Sequence, residues 1–363
     1  MDQKKVLVAM SGGVDSSVTA ALLLQKGYEV RGVYLIPWHA SEIGFSEAGN
    51  PEETQVSAQQ AADRLGIQLD VLTLKNEFYS RVVDYFIDGY RMGKTPNPCY
   101  VCNRVFKWTE FLQHADRIGY QFVASGHYAR LENTEDGSAH LYQAADLSKD
   151  QSYVLSCLDQ TTLQRILLPL GNLKKSEVRR IAAEKGFLSA DRSDSQDMCF
   201  LLNTEHKAFI QKMLGKESGI PGDIINPEGE VIGQHSGLEN YTIGQRKGIK
   251  ISAPDPYYVL HKNIKENQLL VGPRRQTKAN GLIAADAHWL QRTPPAERFE
   301  AGVKIRYHSK VYSARIIVMD DRRMRILFSE FVQGITPGQF AVIYRDNEVL
   351  GAGEIEKEIE IEA

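Results

Sequence analysis

Cysteine is scarce in this chain: Cys99, Cys102, Cys157 and Cys199 are the four present in 363 residues. So few exclude a secreted scaffold held by disulfides. They point to a reducing cytosol, where a C-x-x-C pair is more often metal-binding or catalytic. Long apolar runs are missing too. None approaches the roughly 18 residues of a membrane-spanning helix, so no membrane partner is expected. The opening MDQKKVLVAM has no cleavable leader pattern and moves directly into a strand. A strong excess of one charge is also absent. The net charge of −3 argues against a protein that coats nucleic acid indiscriminately, while leaving room for a local basic groove. No internal repeat or low-complexity segment is visible.

What is present is a chain long enough for two or three cores. Apolar runs at 6–10, 30–36, 69–74 and 122–125 read as buried strands. Amphipathic stretches at 16–25, 51–66, 77–92 and 105–118 alternate with them, and 175–185 adds another helix. Such alternation implies a doubly wound parallel sheet covered on both faces. After about residue 203 the texture changes. A helix-like stretch at 204–214 precedes short apolar runs separated by PGD, NPEG, SGLEN and IGQRKG, which is turn chemistry. The final segment, with MDDRR and TPGQ turns, reads as a β-barrel or sandwich, and the barrel is the expectation carried forward. The fold class is therefore α/β, with divisions expected at 1–203, 204–277 and 278–363. The closing EIEKEIEIEA reads as a terminal strand whose glutamates face solvent.

Between the first strand and the first helix lies Ser11-Gly12-Gly13-Val14-Asp15-Ser16-Ser17. Glycines there let the backbone approach a ligand, and N–H groups at a helix start face an anion. Ser11, Ser16 and Ser17 offer further donors, and Asp15 is placed to hold Mg²⁺. Neither G-x-x-x-x-G-K-[ST] nor G-x-G-x-x-G is present. A second stretch, TPNPCYVCN, holds Cys99 and Cys102 within four residues. From spacing alone it reads as a disulfide, a metal clip, a redox pair or a device for handling sulfur. Cys199, between Met198 and Phe200, reads in isolation as a buried core thiol, and so does Cys157.

SGGVDSS resembles the loop of the PP-loop ATP pyrophosphatases, which cleave ATP to AMP and pyrophosphate while adenylating an oxygen leaving group. TPNPCYVCN, SGHYAR (125–130), SKDQSYVL (148–155), DSQDMCF (194–200), YTIGQRKG (241–248) and VKIRYHS (303–309) occur in an order similar to the tRNA-specific 2-thiouridylases. The resemblance spans nearly the whole chain. It implies a PP-loop (adenine nucleotide alpha hydrolase-like) domain and a tRNA-binding barrel. It also implies replacement of O2 of the wobble uridine of tRNA by sulfur. The implied nucleotide contacts are Ala9, Met10, Ser11, Gly12, Gly13, Val14, Asp15 and Ser16, with Leu35 and Gly126, and the cofactors are ATP and Mg²⁺. Cys199 matches the persulfide carrier and Cys102 the cysteine acting opposite it, through a transient Cys102–Cys199 disulfide. Asn97, Pro98 and Cys99 match the segment beside the target base. Lys149, Asp150, Gln151, Arg306 and Tyr307 match tRNA contacts. His127, next to Gly126, reads as a residue behind the nucleotide contacts or as a hydrogen-bonded histidine at a strand end.

Cys99 departs from the aspartate commoner at its position. Three thiolates from Cys99, Cys102 and Cys199 would leave one iron of a [4Fe–4S] cluster open to hold a hydrosulfide, a route the resemblance permits without requiring. The sulfur comes from a cysteine desulfurase relay or from sulfide, and the location implied is cytoplasmic. Seven Lys/Arg between 301 and 325, against Asp320 and Asp321, offer charge for phosphates. Arg246-Lys247 and Lys174-Lys175 are weaker candidates. Two rivals remain at this stage. A PP-loop synthetase acting on a small molecule explains the loop but not the cysteines. A non-catalytic, metal-clipped RNA-binding protein explains the cysteines but not an intact SGGVDSS.

Overall fold

The computed structural model describes residues 3–45, 51–187, 198–201, 204–251, 255–320 and 322–360. Residues 194–197 of the DSQDMCF motif lie outside them. The N-terminal part contributes β1 (Lys5–Ala9), β2 (Glu29–Ile36), β3 (Leu69–Thr73), β4 (Phe122–Ala124), β5 (Ala129–Asn133), β6 (Ala139–Gln143) and β7 (Ile166–Leu167). Five of these form one sheet in the order β3-β2-β1-β4-β7, and every pairing is parallel. Val6, Leu7 and Val8 of β1 are fully buried, as a strand covered on both faces requires. Helices α1 (Val14–Gln25), α2 (Pro51–Leu65) and Lys175–Glu184 cover one face through Val18, Ala58, Ala62, Val178 and Ala182. Trp108, Phe111 and Ala115, with Tyr100, cover the other. Strand order reverses between β1 and β4. In such sheets ligands bind where the carboxyl ends of the reversing strands part.

Two helices differ from the sequence expectation. The helix expected at 105–118 starts earlier, because Asn97 caps it (its Oδ1 accepts from Tyr100 N at 3.1 Å) and Pro98 takes the first helical position. It runs from Pro98 to Arg117 with a wide π-turn at Asn103–Lys107. The helix expected at 77–92 likewise carries a π-turn at Tyr79–Val83.

The middle segment holds β8 (Gly222–Ile225), β9 (Val231–His235), β10 (Tyr257–Asn263) and β11 (Gln268–Pro273), ordered β10-β11-β8-β9. Ile224, Val259, Leu269 and Val271 form its small core. The C-terminal strands are β12 (Lys278–Trp289), β13 (Arg298–Lys304), β14 (Tyr312–Asp320), β15 (Arg323–Gln333), β16 (Phe340–Arg345) and β17 (Glu348–Ile359). Pairing of β12 with β17 closes them into a six-stranded barrel, so the choice between barrel and sandwich falls to the barrel. The β5–β6 hairpin leaves the first sheet and pairs with β17. Among the described residues no helix is long and apolar enough to cross a membrane.

Candidate active site

SGGVDSS sits at the carboxyl end of β1, where the strand order reverses. Met10 is core, 1% exposed, and its N–H donates to Val33 O at 2.8 Å, so a ligand can be met from Ser11 onward. Gly12 has φ +77°, and a Cβ there would stand 2.2 Å from Thr54 O. Only glycine fits. Ser16 and Ser17 are buried and donate to Gly13 O at 3.1 and 3.0 Å, while Ser16 Oγ accepts from Ser11 N. Their hydroxyls brace the loop rather than stand free for a ligand. Among the described residues, the N–H groups of Gly13, Val14 and Asp15 meet no backbone carbonyl. They form the anion-facing start of α1, a helix of 12 residues.

Asp15 was expected to need a cation, and the protein supplies one. Lys175 Nζ donates to both carboxylate oxygens at 2.8 and 2.7 Å, and Tyr128 OH donates to Oδ1 at 2.8 Å. Lys175, read from sequence as a weak RNA contact, therefore belongs to the phosphate end. Gly126 permits the close packing beside it, since a Cβ there would lie 2.8 Å from Asp15 Cβ. Leu35, at the end of β2, is partly buried against two core clusters.

The cysteines lie across the crevice. All four are free thiols. Cys157 is buried core, as expected, but Cys199 is solvent-exposed. Its neighbour Phe200 is the buried anchor, packed on Phe78, Phe86 and Phe209 with its carbonyl accepting from Ala40 N at 2.8 Å. Cys99 is exposed and Cys102 half-buried. Burial nonetheless pushes Cys99 up, Cys102 to about 11 and Cys199 to about 12. Exposure together with strong desolvation describes thiols on the wall of a concave surface, and their mutual repulsion as anions marks them as neighbours. Among the described residues, however, no three His, Cys, Asp or Glu side chains are gathered closely enough to hold a metal. The arrangement does not fit the three-thiolate cluster that the sequence permits.

Between the two ends stand His127 and Lys107. Lys107 Nζ is 3.5 Å from His127 Nε2, and Ser125 Oγ is 2.6 Å from Nδ1. An ammonium can only donate, so Nε2 is the acceptor and Nδ1 carries the proton toward Ser125. Burial, and secondarily Lys107, hold His127 well below its ordinary value, so it is neutral. Trp108 lies against its ring, and the buried Asn103 ties Trp108 Nε1 to the Cys99 carbonyl with two 2.9 Å bonds.

The expected RNA contacts divide. Tyr307 reaches the crevice: it packs on Tyr153, and the Cys99 thiol and Asp150, after burial, help raise it to about 12. Asn97 is engaged as a cap and Pro98 is buried. Asp150 is buried too, accepting from Ala144 N, Ser152 N, Ser152 Oγ and Gln143 Nε2, with Lys304 at 3.6 Å. Gln151 Oε1 accepts from Tyr128 N. The Asp150 and Gln151 side chains hold the segment in place, and Lys149 before them is half-buried. Arg306 turns inward to Thr336 Oγ1 and Ile243 O. The basic run beyond it is largely neutralised on the barrel exterior, through Lys310–Glu330, Arg315–Glu300, Arg322–Asp286 and Arg323–Asp320.

Comparison with known proteins follows the same three parts. Family models match in order: a tRNA methyl transferase HUP domain at residues 4–203, a tRNA methyl transferase PRC-barrel domain at 207–273, and an aminomethyltransferase beta-barrel domain at 279–355. A tRNA-specific 2-thiouridylase MnmA from Carboxydothermus hydrogenoformans is 42% identical over 98% of this chain and 99% of its own. One from Trichlorobacter lovleyi is 42% identical over 97% of each. Among solved structures, a U34-tRNA thiolase NcsA from Methanococcus maripaludis with its [4Fe-4S] cluster aligns at TM-score 0.32 and 19% identity, over 55% of this chain and 63% of that one. That likeness is too low to carry an argument. These thiouridylase matches cover nearly the whole of this chain, and the chain belongs to the tRNA-specific 2-thiouridylase family.

Proposed function

We propose that this chain replaces O2 of the wobble uridine of tRNA with sulfur, consuming ATP and releasing AMP and pyrophosphate. The observation that carries this reading is the juxtaposition of a phosphate loop, closed by Gly126 on Asp15, with a thiol-lined crevice one lysine–histidine contact away. Uracil O2 is a poor leaving group. Its attack on the α-phosphorus of ATP, with loss of the N3 proton, makes it one. Gly13, Val14 and Asp15 offer N–H groups to the phosphates, and Lys175 is placed to exchange Asp15 for them. Mg²⁺ would enter on the phosphates of ATP and supply charge neutralisation there. Asp15 fits as its protein ligand once Lys175 has let go.

The sulfur step then runs through persulfide. The terminal sulfur on Cys199 attacks C2, and the C2–O2 bond breaks with its electron pair leaving on AMP. The Cys102 thiolate next attacks Cys199 Sγ. The Cys199–sulfur bond breaks, its pair passes to the sulfur on C2, and the proton given up by Cys102 is balanced by one gained at N3. A Cys102–Cys199 disulfide results, which a dithiol reductant resets. The exposure of Cys199 supports loading by an external persulfide relay, which delivers sulfur already at the sulfane level. Free thiols and ATP suit a reducing cytoplasm. We divide the labour as 1–203 for chemistry, 204–277 as connector and 278–363 for holding tRNA.

The test is a turnover assay with ATP, tRNA and a persulfide donor, measuring pyrophosphate and nucleoside-resolved 2-thiouridine. Dependence of pyrophosphate release on tRNA, with sulfur at the wobble position, is expected. Release indifferent to tRNA, or a small-molecule acceptor, would replace this reading with the synthetase one.

A further inference from the structure

The helix that carries Cys99 and Cys102 contains a feature the reaction above leaves unused. Its π-turn spans Asn103–Lys107, immediately after Cys102. In a regular α-helix a residue five positions on is rotated by about 140° away from its predecessor. A π-turn closes at i+5 instead, and so sets Lys107 above Cys102. Such turns are rare and frequently mark functional sites. Here the Lys107 charge favours the anion at Cys102, Cys99 and Cys199 alike, against the burial that raises all three.

The ammonium is held rather than loose. It lies 3.5 Å from His127 Nε2, and neutral His127 is oriented by Ser125 and backed by Trp108. Lys107 forms no ion pair with a carboxylate among the described residues, in contrast to Lys175. A cation without a counter-anion, beside thiols that burial keeps neutral, is complementary to a charge that exists only during reaction.

We propose that Lys107 is a catalytic residue of the sulfur step, its ammonium stabilising the Cys102 thiolate as that sulfur attacks Cys199 Sγ and frees the thiolated base. This rests on the persulfide route proposed above. The π-turn is the device that aims it, and His127 is its positioning residue. Loss of the charge strands the reaction after AMP has left, with tRNA still joined to Cys199 through the sulfur on C2.

Single-turnover assays of Lys107→Met test this. First-turnover AMP should stay within about three-fold of wild type, and 2-thiouridine release should fall roughly 100-fold. A protein–tRNA adduct cleavable by dithiothreitol should accumulate, and Lys107→Arg should recover most of the release. A merely structural lysine predicts the opposite pattern, with AMP and thiouridine falling together and no adduct; that result, or unchanged release, overturns the role. Cys102→Ser provides the independent control. If it too gives no adduct while wild type thiolates, the persulfide route fails, and the role of Lys107 with it.

Discussion

The phosphate end and the sulfur end of the crevice handle charge in opposite ways. At the phosphate end a carboxylate and an ammonium already neutralise each other, Asp15 with Lys175, and Tyr128 completes the bonding. On the proposed function, this pair opens to the more highly charged triphosphate. At the sulfur end the groups are neutral thiols, kept so by burial, with Lys107 waiting beside a neutral histidine. One end is poised for an anion that arrives ready-made. The other is poised for an anion made in place. The difference follows from the chemistry, since triphosphate is delivered charged and a thiolate left permanently exposed would be oxidised.

The largest expected effect breaks the phosphate end. Asp15→Ala and Lys175→Met should each lower tRNA-dependent AMP formation by about 1,000-fold or more, while tRNA affinity survives. Undiminished AMP formation would sink the assignment of that end. Next, Cys199→Ala should abolish 2-thiouridine and leave first-turnover pyrophosphate release within about three-fold. Cys99→Ala in iron-free protein should still thiolate within about two-fold of wild type if Cys99 only lines the base pocket. Loss of activity on removing iron, restored by reconstitution, would bring the cluster back.

Arg306→Ala sharpens the comparison from outside it. Its guanidinium bonds Thr336 and the Ile243 carbonyl, so the variant should lose about 1–3 kcal/mol of stability by denaturant titration. The salt dependence of tRNA binding should hardly move. A slope flatter by about one would restore it as a phosphate contact.

The smallest effect concerns Lys262, buried where β10 meets Tyr90, its Nζ donating to Tyr241 O. Burial lowers it to about 8, below its unfolded value, so the unfolded chain binds more protons between pH 8 and about 10.4. Its contribution to stability therefore rises with pH through that window. Lys262→Met should be the more stable protein at pH 7, by roughly 3 kcal/mol at most, and lose that advantage by pH 10. Parallel curves for the two proteins would refute the assignment.

Much of this architecture was legible because its signals are local. Strand–helix alternation and a glycine-rich turn after β1 need no tertiary context, and neither does the family order of motifs. Asn97-Pro98 was a readable cap and first turn, yet the helix was placed seven residues late because polar Asn103 and Arg104 interrupt the apolar spacing. Asn103 is buried only because Trp108 and the Cys99 carbonyl satisfy it. Lys175 looked like surface charge since its partner is 160 residues away. The ion pairs within the basic run at 301–325 were not legible, because the partners Glu300 and Glu330 stand on neighbouring strands. The β5–β6 hairpin was not read from the sequence, and no local rule says which sheet a hairpin joins.

That hairpin sets the order in which the chain can be finished on the ribosome. β6 emerges some 200 residues before its partner, and its edge stays open until Glu348 pairs with Tyr142, Gln143 N reaches Asn347 O and His140 meets Glu348. An open edge is a hazard during synthesis. The nascent N-terminal part is therefore complete in sequence long before it is complete in structure. A transcript cut short before β17 yields a protein with its phosphate loop and Cys102 present but its sheet edge and barrel unsealed.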